Sequence, residues 1–250
     1  QGTHTDHDIQ NCHASLLMED ADRAAVCLPS VRQLVEERAD IMEQITTRTG
    51  CTVKQAKQLP IRLLYGGGVN GWRKDNAPPR WDLEGFEWLQ QLGQDIETIT
   101  QHIKKENPEE WKRVSTKTRV SNKRTGRKNK PGPAFLALYA QNLERRVLDL
   151  VLSKLPTAAR EHFAYTFDGF MLPNEHAMTV EQLHDLTKEE HPRVRWTLKP
   201  FDEGGDVGRY IKEHPTAAID AQASATAKKG EHLKAQEPTP SQLLTFDLKY

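Results

Sequence analysis

"FAYTFDGFML", residues 163–172, sets two aromatic-rich runs on either side of an Asp-Gly pair. Such a pair favours a type I′ hairpin turn, so the stretch predicts two antiparallel strands with Asp168 at the tip. It is the clearest β signal in the chain. Downstream, "RVRWTLKPF" (193–201) alternates as a strand, with Val194, Trp196 and Leu198 on one face. Elsewhere the apolar periodicity is helical, and the combination predicts an α+β fold in which a small antiparallel sheet carries helical insertions.

The helices can be placed from their stripes. Leu28-Pro29-Ser30 leads into Val31, Leu34, Val35, Ile41, Met42 and Ile45, which predicts a helix over 30–48 with Ser30 and Gln33 as a capping box. "TVKQAKQLPIRLLYGGG" (52–68) carries a second helix that three glycines stop. Pro60 there removes one backbone bond and predicts a kink or a late start. Residues 82–105 place Gly85, Leu89, Leu92, Ile96, Ile99 and Ile103 on one stripe, and 134–155 do so with Phe135, Leu138, Leu143, Val147, Leu150 and Val151. Thr179 and Gln182 cap a short helix.

Lys+Arg and Asp+Glu each total 35, so net charge by itself indicates no partner, but the distribution is uneven. Residues 111–133 hold nine Lys or Arg and no acid. A basic loop of this kind is either a solvated surface segment or the footprint of phosphates. Its candidate nucleic-acid contacts are Lys117, Arg119, Lys123, Arg124, Arg127 and Lys128. Trp72, Trp81, Trp88 and Trp111 are candidates for stacking on unpaired bases, with interhelical packing as their ordinary role. Three cysteines without a CxxC pair argue against a disulfide framework and a zinc knuckle, and point to an intracellular, reducing compartment. No apolar run approaches a membrane span, so no membrane partner is expected. A first residue of Gln1 suggests a processed product or a piece of a larger polypeptide.

At the other end of the chain, "THTDHDIQNCH" (3–13) crowds carboxylates and histidines together. His4-x-Asp6-His7 partly echoes the HxHxDH run of metallo-β-lactamase-like hydrolases, with His162, His176, His184 and His191 as possible further ligands. The alternative pairs one N-terminal aspartate with Asp168. Nucleotide-polymerising enzymes use two carboxylates, brought together by the fold, to hold two Mg²⁺ ions about 4 Å apart.

Between those aspartates, Lys57, Ile61 and Tyr65 fall on one helix face that ends at a glycine. This K-x7-Y-G resembles the fingers helix of family A DNA polymerases and their single-subunit RNA polymerase relatives, whose pattern is R-x3-K-x7-Y-G. Asp8-Ile9-Gln10-Asn11-Cys12-His13 is similar to the first catalytic motif of that family, D-Y-S-Q-I-E. Phe167-Asp168-Gly169 is similar to its H-D-E hairpin. The likeness extends to divergent family A-like polymerases of large DNA viruses and mobile elements, with their D-x-x-N-x-H-P element, N/Y-G-G after the lysine helix, and FDG; "LKPFDEG" fits too. The motifs run in order over residues 6–205.

The resemblance implies a polymerase palm with a helical fingers insertion, acting as a DNA-directed DNA polymerase on dNTPs and a primer-template. It implies Asp8, with Ile9 beside it, and Asp168 as the positions holding two Mg²⁺ ions. Lys57 would meet the triphosphate and Tyr65 would stack near the templating base, with Ile61 on the same face. Lys54 could stand in for the arginine of R-x3-K, whose own place is Val53. His13 occupies the place of the glutamate that excludes ribose, and Gln141 the place of a polar residue at the minor groove. Arg145 and Arg146 could contact backbone phosphates. Asn11 would orient the metal site or cap the helix that follows. Gly169 and Phe167 depart from H-D-E, removing a carboxylate and a histidine.

The implied organisation is a first palm strand and following helix (1–27), helical fingers (28–110), the basic loop (111–133), the palm helix, hairpin and closing strand (134–214), and a polar tail (215–250). The chain begins almost on its first catalytic aspartate, so the resemblance implies either that another polypeptide or domain supplies the grip on duplex or that this is a minimal polymerase of low processivity. Two other readings stay open: a non-catalytic descendant that binds nucleic acid or protein, and the histidine-rich metal hydrolase.

Overall fold

The computed structural model describes residues 4–199. The fold is α+β and mostly helical, with one four-stranded sheet. The chain opens with β1 (His4–Ile9) and α1 (Cys12–Arg23), then runs through α2 (Pro29–Glu36), α3 (Arg38–Thr49), α4 (Val53–Leu64), α5 (Val69–Asn76), α6 (Glu87–Glu106), α7 (Pro108–Thr125) and α8 (Pro131–Lys154). It closes with a short α9 (Thr157–Arg160), the hairpin β2 (Ala164–Tyr165) and β3 (Gly169–Pro173), α10 (Val180–Thr187) and β4 (Trp196–Lys199).

The sheet order is β2-β3-β1-β4, and every pairing is antiparallel. The N-terminal strand is thus central and is flanked by two strands from the far end of the described chain. Its register places Asp8 opposite Gly169 on one side and Thr197 on the other. Ile9, Phe170, Leu172, Val194 and Trp196 point into one core with Val147 and Val151 of α8 and Leu183 of α10. A second core joins α1 to α6 with the N-terminal half of α8, around Leu17, Ile45, Leu59, Trp72, Ile99 and Phe135. Helices α1 and α8 contribute to both cores: Leu16 and Val147 to the sheet side, Met18 and Leu136 to the helical side. They are the beams that hold the two halves together.

Several local expectations need correction. The single helix expected over 30–48 is two helices that break at Glu37, whose φ of −122° and ψ of 35° are not helical. Ser30 is not a cap, because α2 starts one residue earlier at Pro29. Its first amides are instead met by Asp95 of α6, at 2.7 Å from Ser30 N and 3.1 Å from Val31 N. Pro60 neither delays nor interrupts α4, which runs unbroken from a Thr52/Gln55 capping box. The helix ends at Tyr65, and Gly66 adopts the left-handed φ of 77° that stops it. Gly85 lies before α6 rather than on its stripe.

The basic segment is not a loop for most of its length. Lys117, Arg119, Lys123 and Arg124 are exposed on α7, and Arg127, Lys128 and Lys130 lie on the connection after Gly126. Helical propensity of Lys and Arg outweighs the charge repulsion that suggested open coil. The hairpin forms as expected, but not with a type I′ turn. Thr166 N donates to the Gly169 carbonyl at 3.0 Å, so Phe167 and Asp168 form the corner and Gly169 begins β3 with no positive φ. The strand expected over 193–201 forms as β4 only from Trp196; Trp196 and the preceding Val194 are buried while Leu198 is exposed. The tail over 215–250 and the end of "LKPFDEG" lie outside the described residues.

Candidate active site

The antiparallel pairing of β1 with β3 brings the two predicted aspartates to one end of the sheet. Asp8 faces Gly169 across the ladder, and Ile9 N donates to the Asp168 carbonyl at 2.8 Å. Asp168 sits in the turn just before β3, and its charge and that of Asp8 both reach the Cys12 thiol. Ile9 itself is buried in the sheet core and offers an ion no more than its backbone carbonyl. The glycine beside Asp168 has a steric reason: a Cβ there would run into the backbone of His7 and Asp8.

Beside the aspartates, the turn after β1 places Asn11 in the left-handed region (φ 49°) and starts α1 at Cys12. Cys12 is buried. Desolvation first, then the charges of Glu144, Asp168 and Asp8, push its thiol well above the ordinary range. The next residue, His13, joins three elements. Its Nε2 lies 2.6 Å from Glu144 Oε2 on α8, and its Nδ1 bonds the Tyr65 hydroxyl at the end of α4. The two rings meet edge to face with centroids 5.7 Å apart.

The Tyr65 contact therefore ties the end of α4 to the start of α1. Lys57 and Ile61 lie on the same exposed face of α4, with Lys57 about 12 Å back along the axis at 1.5 Å per residue. Lys54 is exposed one turn earlier, and the opposite face, Ala56, Leu59, Pro60 and Leu64, is buried. Gln141 is exposed on α8, one turn before Glu144. Glu144 was missed in the sequence. The signal that could have found it is its position three residues after Gln141, on the side of the helix that faces α1.

Other candidates have structural partners. Arg145 donates to Asp149 at 2.9 Å and lies over the Tyr165 ring, whose hydroxyl donates to Asp149 at 2.7 Å. Arg146 is simply exposed. Trp72 is wholly buried and donates to Gln55 O, and Trp88 donates to Ser30 O. Trp81 packs on Trp72, and Trp111 on Phe135. All four therefore serve packing. By contrast Phe167, at the hairpin corner beside Asp168, is 91% exposed.

The histidines of the hydrolase pattern are not brought together. His7 is stacked on Phe170 at 4.6 Å, and its Nε2 meets the Met178 backbone. His162 stacks on His176, while His191 pairs with Glu19 on α1 at 2.9 Å. Among the described residues, the one group of donors close enough for an ion is Cys12, His13 and Glu144. Ligands bonded at roughly 2.0 Å in a tetrahedral site stand roughly 3.3 Å apart, so the 2.6 Å between His13 and Glu144 is a hydrogen bond. The three cysteines form no disulfide. No helix among the described residues is long and apolar enough to cross a membrane.

Comparison with known proteins gives one distant likeness. The chain is 22% identical over 197 residues to a Sputnik virophage protein named "Putative helicase V13". The match covers 79% of this chain and 24% of the virophage protein, so the chain spans about a quarter of that protein's length. No protein-family profile matches the chain, and no solved structure matches it.

Proposed function

We propose that this chain is the palm and fingers of a template-directed nucleotidyltransferase of the DNA polymerase type. The observation that carries the reading is that Asp8, at the end of β1, and Asp168, in the hairpin turn before β3, lie at one end of the sheet, where the charges of both act on the Cys12 thiol. The fingers helix supports it independently. Its predicted nucleotide face, Lys57, Ile61 and Tyr65, is turned away from the core, and its end is tied to His13, five residues after Asp8.

In this reading Asp8 and Asp168 hold Mg²⁺, with the Ile9 carbonyl as a possible backbone donor. Such ions would lower the pKa of the 3′-hydroxyl and offset the negative charge of the triphosphate. The protein's own part is positioning and electrostatics. Lys57 meets the negative charge on the leaving phosphates, with Lys54 as a further cation one turn away. Tyr65 presents its ring beside the base, and Gln141 faces the duplex from α8. The exposed cations of α7 and its following turn, Lys117, Arg119, Lys123, Arg124, Arg127 and Lys128, follow the primer-template backbone without reading sequence.

The virophage likeness supports work on nucleic acid. It does not favour a helicase reading for this segment, because the chain contains no Gly-Lys-Ser/Thr phosphate loop of the kind that cradles ATP in P-loop motors. A match to a quarter of a longer protein fits a larger replication polypeptide that brings the thumb and other domains.

The test is primer extension on a primed template with Mg²⁺ and either dNTPs or rNTPs, comparing the wild type with Asp8→Ala and Asp168→Ala. Extension by the wild type and its loss in both variants is expected. Intact binding to primer-template with no extension would favour the non-catalytic descendant.

A further inference from the structure

On the nucleotidyltransferase reading, α4 is one cation short. The place of the arginine in R-x3-K-x7-Y-G is Val53, an exposed apolar residue one turn before Lys57. The structure holds a different arginine close to the end of β1. Arg38 opens α3, and its Nη1 donates to Asn11 Oδ1. Asn11 lies three residues beyond Asp8, in the left-handed turn that joins β1 to α1, and its own amide donates to the Leu34 carbonyl at 3.4 Å. The amide is thus oriented with its oxygen toward the guanidinium, which is moored at the end of the strand that carries Asp8.

Among the described residues, Arg38 differs from the arginines around it in being partly buried yet without a counter-charge, whereas Arg146 and Arg195 are exposed. Arg23 and Arg32 are paired with Glu19 and Asp22, Arg62 with Asp75, Arg145 with Asp149, and Arg193 with Asp22 and Glu36. Among the described residues Arg38 has no salt bridge, its Nε is buried without a hydrogen-bond partner, and burial pushes its pKa down from the ordinary value. A partly desolvated guanidinium without a counter-charge is unfavourable in the protein alone and becomes favourable when an anion arrives. The planar fork of arginine matches phosphate oxygens in particular.

We propose that Arg38, held by Asn11, binds the polyphosphate tail of the incoming nucleotide and replaces the cation that Val53 leaves missing from the fingers helix. The ligand class is a nucleoside triphosphate, recognised through its phosphates rather than its base. Lys57 and Arg38 then approach the tail from α4 and α3 respectively.

The test uses two readouts on the full chain. Inorganic tripolyphosphate binding is measured by calorimetry, and KM and kcat for dNTP by primer extension, for the wild type, Arg38→Met, Arg38→Lys and Asn11→Gly. Losing one charge-assisted contact weakens tripolyphosphate binding and raises KM by roughly ten- to hundredfold in Arg38→Met, with a smaller change in kcat. Arg38→Lys retains part of the affinity. Asn11→Gly, which suits the left-handed turn but frees Arg38, loses an intermediate amount. Two results overturn the assignment: no tripolyphosphate binding by the wild type, or an Arg38→Met variant that melts earlier yet binds tripolyphosphate and dNTP normally. If tripolyphosphate binding depends on Arg38 while no variant or wild type extends primers, the phosphate subsite stands and the polymerase reading falls.

Discussion

The backbone of Gly169 passes so close to the His7 carbonyl that a Cβ at position 169 would collide with it and come within 3.0 Å of Asp8 Cα. The obstacle is main chain in the neighbouring strand, which cannot swing aside. Gly169→Ala therefore opens the β1/β3 ladder opposite Asp8 and next to Asp168. The expected loss is about 1–3 kcal/mol of unfolding free energy, read as a lower urea midpoint with an unchanged slope. Gly169→Glu, which would restore the H-D-E carboxylate, loses at least as much and gains no ligand. A Gly169→Ala midpoint equal to the wild type's would refute the close approach.

Asp95 is 2% exposed and accepts from the amides of Ser30 and Val31, so a residue of α6 performs the capping that α2 cannot do for itself. Asp95→Ala leaves two buried N–H groups without partners, at a cost of about 1–3 kcal/mol. Thermal denaturation should show the loss, and amide exchange at residues 30 and 31 should quicken more than elsewhere in α2. Unchanged exchange at those two amides would mean that water or another group replaces the carboxylate.

That cap also illustrates what the sequence could and could not tell. Periodicity and local caps were legible: α4 with its Thr52 box, α10 with its Thr179 box, the hairpin and the stripe of α8 all follow from short-range chemistry. Contacts made across 65 or 131 positions, such as Asp95 to Ser30 and Glu144 to His13, have no local signature. The order of Asp8, Lys57, Tyr65 and Asp168 could be aligned with a motif pattern, but the way the sheet unites its ends depends on β1 pairing with a strand 160 residues away. Charge without acids suggested a loop where α7 forms, because composition carries the sign of a surface but not its backbone shape.

His7 is buried between Phe170 and the Met178 backbone, and burial lowers its pKa below the ordinary 6.5. The unfolded chain then binds a proton that the folded chain resists. Its contribution to stability is fully present above the unfolded pKa and is lost as pH falls through the folded one. The denaturation midpoint should decline on acidification below about pH 6.5. His7→Leu, which is uncharged at every pH, should show a shallower decline over the same range. Parallel curves for the two proteins would assign the acid sensitivity to other groups.

Glu144, His13 and Tyr65 form a chain of hydrogen bonds across α8, α1 and the end of α4. A neutral imidazole has one donor and one acceptor. With Nε2–H given to the Glu144 carboxylate, Nδ1 is left to accept from the Tyr65 hydroxyl. The carboxylate on α8 thus orients the imidazole that holds the end of α4 against the start of α1. On the polymerase reading, His13 occupies the position that excludes a ribose 2′-hydroxyl, so loosening this chain of bonds opens room at the sugar. Glu144→Leu should lower the preference for dNTP over rNTP, measured as the ratio of kcat/KM values, by about tenfold, the worth of one charge-assisted hydrogen bond. Tyr65→Phe, which removes the hydroxyl directly, should shift the ratio in the same direction. If both variants keep the wild-type ratio while extending primers, the three residues tie fingers to palm without selecting the sugar, and discrimination must come from another face of the pocket.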